Sequence, residues 1–145
     1  MISSYPTAQP GEIRLLNLRL SPGCDLRGAL ETLVAERQID AAWVASAIGS
    51  LDQLSLRPAG ASQALLLPGP WELLSLQGSL GPDGVHLHLS AADARGHCRG
   101  GHLLAGNGIR TTAEIALLLP VGVRFRRVLD PRSGCRELCF EAPAP

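Results

Sequence analysis

Six residues, Val85-His86-Leu87-His88-Leu89-Ser90, alternate without a break between apolar and polar side chains. A period of two fits an extended strand and no helix, because successive side chains of a strand point to opposite faces. Val85, Leu87 and Leu89 then line an apolar face, and His86, His88 and Ser90 take the reverse. The next signal, Asp93-Ala94-Arg95-Gly96, suits a type I turn followed by glycine in the left-handed region. That is the chemistry of a three-residue hairpin loop with a bulge. Pairing Asp93 with His97 places His88 directly opposite His102, where Cβ atoms on one face stand about 4.5–5.5 Å apart. His86 shares that face two residues along. Three of the four histidines therefore converge on one patch.

Strand patterns fill most of the chain. Segments 13–20, 41–48, 51–57, 64–67, 71–80, 85–91, 97–105, 111–119, 123–129 and 135–141 read as strands. Gly49-Ser50, Pro68-Gly69-Pro70, Gly81-Pro82-Asp83-Gly84 and Asp130-Pro131 to Gly134 read as the breaks between them. One segment follows helical spacing: Leu26, Ala29, Leu30, Leu33 and Val34 line one side of residues 25–38, with Asp25 as the cap. The expectation is an α+β fold, a mainly antiparallel β-sheet packed with one principal α-helix. The length of 145 residues is that of a single domain. Residues 1–12 read as a flexible arm, 13–141 as the domain and 142–145 as a frayed tail.

Composition narrows the function classes. Hydrophobic residues make up 46% and charged residues 18%, which excludes an intrinsically disordered chain. Thirteen basic residues, all arginine, balance thirteen acidic ones. Zero net charge argues against a strongly electrostatic nucleic-acid binder, and the scarcity of aromatics leaves little for base stacking. Residues 1–6 carry neither the basic nor the apolar stretch of a secretory signal, and no apolar run approaches the roughly 18 residues of a membrane helix. The expected setting is the cytoplasm, with no membrane association and with Cys24, Cys98, Cys135 and Cys139 as free thiols. Cys135 and Cys139 stand too far apart along a strand to chelate one ion.

The histidine patch has two readings. His86, His88 and His102 suit a divalent transition metal, zinc first and iron or nickel next, with an open position for water. The same rings could instead hydrogen-bond at a subunit contact or lie wetted on a polar face, and a one-residue slip of register would disperse them. His97 reads as a solvated turn residue. Gly100-Gly101 signals the close approach of another backbone, a second chain above all. Arg110, Thr112 and Glu114 share a strand face. They form either a polar pocket beside the histidines, with Glu114 as general base, or a cross-strand ladder. Arg124, Arg126 and Arg127, with Arg132 and Arg136, form either phosphate contacts or a solvated face paired with Asp130 and Glu137. No P-loop, G-x-G-x-x-G turn or G-x-S-x-G elbow occurs.

Several runs taken together resemble one family. They are Gly78-Ser79-Leu80, His86 to Ser90, Asp93 and Gly96, Gly100-Gly101-His102-Leu103, and Arg110 to Glu114. The helix from Asp25, Ala45 to Leu51, and Phe125-Arg126-Arg127 with Asp130-Pro131 and Gly134 extend the likeness. The chain resembles the PPC domain of plants and prokaryotes over roughly residues 13–141, and in particular its stand-alone bacterial members. The resemblance implies a trimeric assembly, a homotrimeric binding or regulatory module. It also implies that His86, His88 and His102 hold a metal near the subunit boundary, as in some prokaryotic members. It carries a DNA-binding label, which in plants accompanies fused AT-hook segments. This sequence has no Arg-Gly-Arg core of that kind. A metal-dependent hydrolase or lyase is the third expectation, with Glu114 or Asp93 as base.

Overall fold

The computed structural model describes residues 11–142. They form β1 (Ile13–Leu20), α1 (Leu26–Glu36), β2 (Ala42–Arg57), β3 (Leu65–Gly81), β4 (Gly84–Ala92), β5 (Cys98–Leu103), β6 (Ile109–Pro120), β7 (Arg124–Asp130) and β8 (Cys135–Glu141). Six strands make one sheet in the order β1-β6-β2-β3-β4-β5, and β7 and β8 make a separate two-stranded ribbon. Each pairing in both sheets is antiparallel. The end of β2 also pairs with β5, Leu56 with Leu103 and Arg57 with His102, which curls the sheet back on itself. The expected α+β class and single domain are what the described residues form. The arm at 1–10 and the tail at 143–145 lie outside them. No helix among the described residues is long and apolar enough to cross a membrane.

The strands are longer and less interrupted than local signals suggest. Gly49-Ser50 is no break: β2 runs through it, with a register irregularity against β6 between Gly49 and Leu51. Pro68-Gly69-Pro70 is no turn either, because β3 runs through it opposite a matching irregularity between Leu51 and Gln53 of β2. At Gly69 a side chain would meet the Asp52 carbonyl oxygen at 2.5 Å. Glycine there permits backbone contact rather than reversal, which is how a bulge differs from a turn.

The core lies between the curled sheet and α1. Leu26, Leu30 and Val34 on one stripe of the helix are buried, together with Leu54, Leu76, Leu87, Leu103 and Leu117 of the sheet. Each fully buried leucine contributes about 1.5–3 kcal/mol relative to exposure. The start of α1 is pinned to the segment after β5. Asp25 caps the helix through Gly28 N at 2.8 Å, and its other oxygen accepts from Gly106 N at 2.7 Å and Asn107 N at 2.8 Å. Asn107 is fully buried and fully used: Nδ2 donates to Ser55 O and Leu104 O, and Oδ1 accepts from Ser55 N. This network fixes where β5 ends, just past His102.

Candidate metal centre

The β4–β5 hairpin closes as its turn chemistry requires. Asp93 N donates to His97 O at 3.1 Å, Gly96 N donates to Asp93 O at 2.9 Å, and Gly96 sits at φ +80°. Asp93 Oδ1 accepts from Arg95 N and His97 N, which holds the loop shut. With that register set, His88 pairs directly with His102. Leu87 and Leu89 point into the core, so alternation sends His86 and His88 to the outer face. The three rings meet with centroids 5.0, 5.2 and 5.5 Å apart. One ring nitrogen from each lies within 4.8 Å of the others. Tetrahedral zinc sites hold ligand nitrogens about 3.4 Å apart given their ~2.05 Å bonds, a distance that small ring rotations reach.

Close backbone packing makes room for the cluster. Gly101, next to His102, lies against the backbone of Arg57, where a Cβ would meet the carbonyl oxygen at 2.8 Å. The backbone that approaches this glycine within the chain is that of β2. Gly78 on β3 plays the same part for β4: its φ is +139°, and a side chain there would collide with the His86 carbonyl.

The surroundings of His86 and His102 disfavour protonation. The pKa of His102 is pushed down from 6.5 to about 4, first by burial, then by the Arg57 guanidinium, then by the other two rings and Arg27. His86 is also lowered, by desolvation first and then by Arg127 and His88, with Glu137 opposing. Neutral rings offer lone pairs, the form in which histidine binds metal. The residues present therefore fit a divalent transition metal. Among the described residues this is the one set of three histidine, cysteine or acidic side chains so gathered.

Two cavities flank the cluster and share His88. One, of about 290 Å³, is lined by Trp43, Ser79, His86, Arg127 and Glu137 among others. The other, of about 570 Å³, lies between His102, Gly101 and the Arg57–Ala61 segment. Arg57, Ser79, Trp43 and Glu137 were not singled out from the sequence as parts of this site. A signal existed for Ser79: the turn at Gly81 to Gly84 sets it opposite His86.

The other expected residues lie apart from the histidines. Arg110, Thr112 and Glu114 are on β6, and none lines either of these cavities. Glu114 pairs with Arg19 and Ile48 and borders a separate groove. Thr112 Oγ1 is buried with no hydrogen-bond partner among the described residues. Arg124 is engaged by Asp40 at 2.9 Å, and Arg126 by Asp83 at 2.9 Å and Glu141 at 3.7 Å. Arg132 pairs with Asp130, and Arg136 reaches Asp83 at 4.0 Å. Arg127 alone of this group turns to the histidines: Nη2 donates to Ser79 Oγ at 2.6 Å, and Nη1 stands 3.5 Å from His86 Nδ1. His97 stays at the hairpin mouth, 3.3 Å from Asp93, and the four cysteines are free.

Comparison with known proteins places these features in context. Residues 8–119 match the model of the Plants and Prokaryotes Conserved (PCC) domain. The bifunctional protein GlmU of a Synechococcus strain is 46% identical over 94% of this chain, and the chain spans 23% of that protein's length. A solved structure of a hypothetical protein from Salmonella enterica is 36% identical, with 92% of this chain and 97% of that one covered and a TM-score of 0.90. A crystal structure described as a metal-containing protein of Archaeoglobus fulgidus is 26% identical, with 89% and 96% covered and a TM-score of 0.73. A Bacteroides thetaiotaomicron structure described as a candidate DNA-binding protein, 19% identical with 88% and 91% covered and a TM-score of 0.72, shows the fold alone.

Proposed function

The chain belongs to the Plants and Prokaryotes Conserved domain family, and from that premise we propose that it is a metal-binding interaction module. His86, His88 and His102 hold one divalent transition metal, zinc first, and the domain assembles as a homotrimer. The observation that carries this reading is the convergence of three ring nitrogens within 4.8 Å, with the surroundings disfavouring protonation of His86 and His102. The related archaeal protein described as metal-containing supports it. Exposed apolar side chains on the outer sheet face, Ile48 at 55% and Leu74 at 49%, support the assembly, since burial between copies removes such surface from water.

The charge distribution favours this reading over duplex binding. Four of the five C-terminal arginines are held by carboxylates, and phosphate neutralisation needs free cations. A hydrolase has less support, because Glu114 borders another groove and Asp93 is committed to its turn. The test is metal content after dialysis of untagged protein. Wild type retains close to one zinc per chain, and His88→Ala loses most of it. Equal, near-zero metal in both proteins removes the reading.

A further inference from the structure

We propose that the open coordination position of this centre is built for an oxyanion, a carboxylate or phosphate group, which Arg127 selects. The inference rests on the metal reading and adds the chemical class of the ligand.

Arg127 differs from its neighbours in making no ion pair within 4.0 Å among the described residues, although Glu137 and Asp83 act on it from farther off. Arg124, Arg126, Arg132 and Arg136 each have a carboxylate oxygen within 4.0 Å. Among the described residues Arg127 has no such pair. Its guanidinium is half-buried and is held in place by Ser79, and the strand behind it is held by the bond from Arg127 N to Asp83 Oδ2 at 2.8 Å. It lines the same 290 Å³ cavity as His86 and His88. A guanidinium presents five donors and uses a forked pair of them on planar oxyanions. Two of its nitrogens are occupied or near a ring here, and the remaining N–H groups are free for a ligand.

Charge points the same way. An imidazole that ligates through its lone pair brings no charge, so three of them do nothing to offset a dication. Arg127 stands on one side of them and Arg57 on the other, and Arg27 acts on His102 from further off. Glu137 is the carboxylate on the cavity wall. Its single negative charge leaves the site positive once a metal is bound. A small anion bound to the metal and bridged to Arg127 completes the balance, and a space of about 290 Å³ accommodates it. A neutral ligand would leave a half-desolvated cation facing a dication, an arrangement that costs free energy at any interior dielectric. Arg127 lies on β7, so the ribbon brings the selecting residue to the three-histidine face of the sheet.

The experiment uses Co(II)-loaded full-length protein, with visible absorption read during titration by inorganic phosphate and, separately, acetate at constant ionic strength. Cobalt retention is measured in each protein. Expected are band shifts at millimolar anion, weakened about tenfold in Arg127→Gln and less in Arg57→Gln, with cobalt retention unchanged. A response to both anions assigns any small oxyanion, and a response to one assigns that group; either supports the proposal. Arg57→Gln keeps the test open if loss of the Ser79 bond unfolds the ribbon. Cobalt retained with no shift, or with equal affinity in both variants, overturns the oxyanion assignment and leaves the metal reading standing. Failure of wild type to retain cobalt overturns both.

Discussion

His102 shows how one residue joins folding to ligation. Its imidazole sits where burial and Arg57 hold the pKa near 4 instead of 6.5. The unfolded chain takes up a proton as pH falls through 6.5, and the folded chain resists until about 4. Between those values the unfolded state binds more protons, so stability falls as pH falls. The dependence is complete above 6.5, where both states are neutral, and ends below about 4, where both are protonated. Thermal unfolding of metal-free protein should therefore show Tm dropping across this window. In His102→Gln the drop should be shallower, with the residue from His86, which shifts the same way. A wild-type Tm flat across the window contradicts the placement of His102. The buried Asn107 offers a second residue-scale check. Asn107→Ala removes the acceptor of Ser55 N and the side-chain donor to the Leu104 and Ser55 carbonyls, the Ser55 carbonyl keeping only Leu104 N at 3.2 Å, so denaturant unfolding should show a loss of about 2–4 kcal/mol.

At the level of elements, the β4–β5 hairpin does the positioning, and β2 backs it. Gly101 is the contact point, with the Arg57 carbonyl where its Cβ would be. Gly101→Ala forces β5 away from β2 and tilts His102 out of register with Arg57. The expected result is a destabilisation of about 1–3 kcal/mol with weaker metal retention; retention and stability both at wild-type levels would show that β5 tolerates the displacement. The hairpin itself was readable in the sequence, because strict alternation and an Asp-x-x-Gly turn fix both face and register locally. The limits of β1 and β8 were also readable, at 13–20 and 135–141. Gly49-Ser50 and Pro68-Gly69-Pro70 misled because a bulge and a turn draw on the same residues. What distinguishes them is the strand alongside, here Asp52 against Gly69, and that neighbour is set by long-range pairing. Arg57 was hidden for the same reason: it reaches His102 through the β2–β5 contact that curls the sheet.

For the whole molecule, the outer sheet face and the histidine cluster belong to one account. The proposed homotrimer would bury apolar side chains such as Ile48 and Leu74, which a lone chain leaves more than two-fifths exposed. Sedimentation equilibrium should return three times 15.3 kDa, and Ile48→Asp should shift the population toward single chains. A wild-type mass of one chain at micromolar concentration would remove the assembly without touching the proposed metal site, whose three candidate ligands come from one chain. The central claim, that these three imidazoles bind one ion, is tested most directly by diffraction from zinc-soaked crystals on either side of the zinc absorption edge. The predicted result is a single anomalous peak per chain, within bonding distance of a ring nitrogen of His86, His88 and His102. Well-ordered rings with no peak between them, or a peak placed elsewhere, would contradict it.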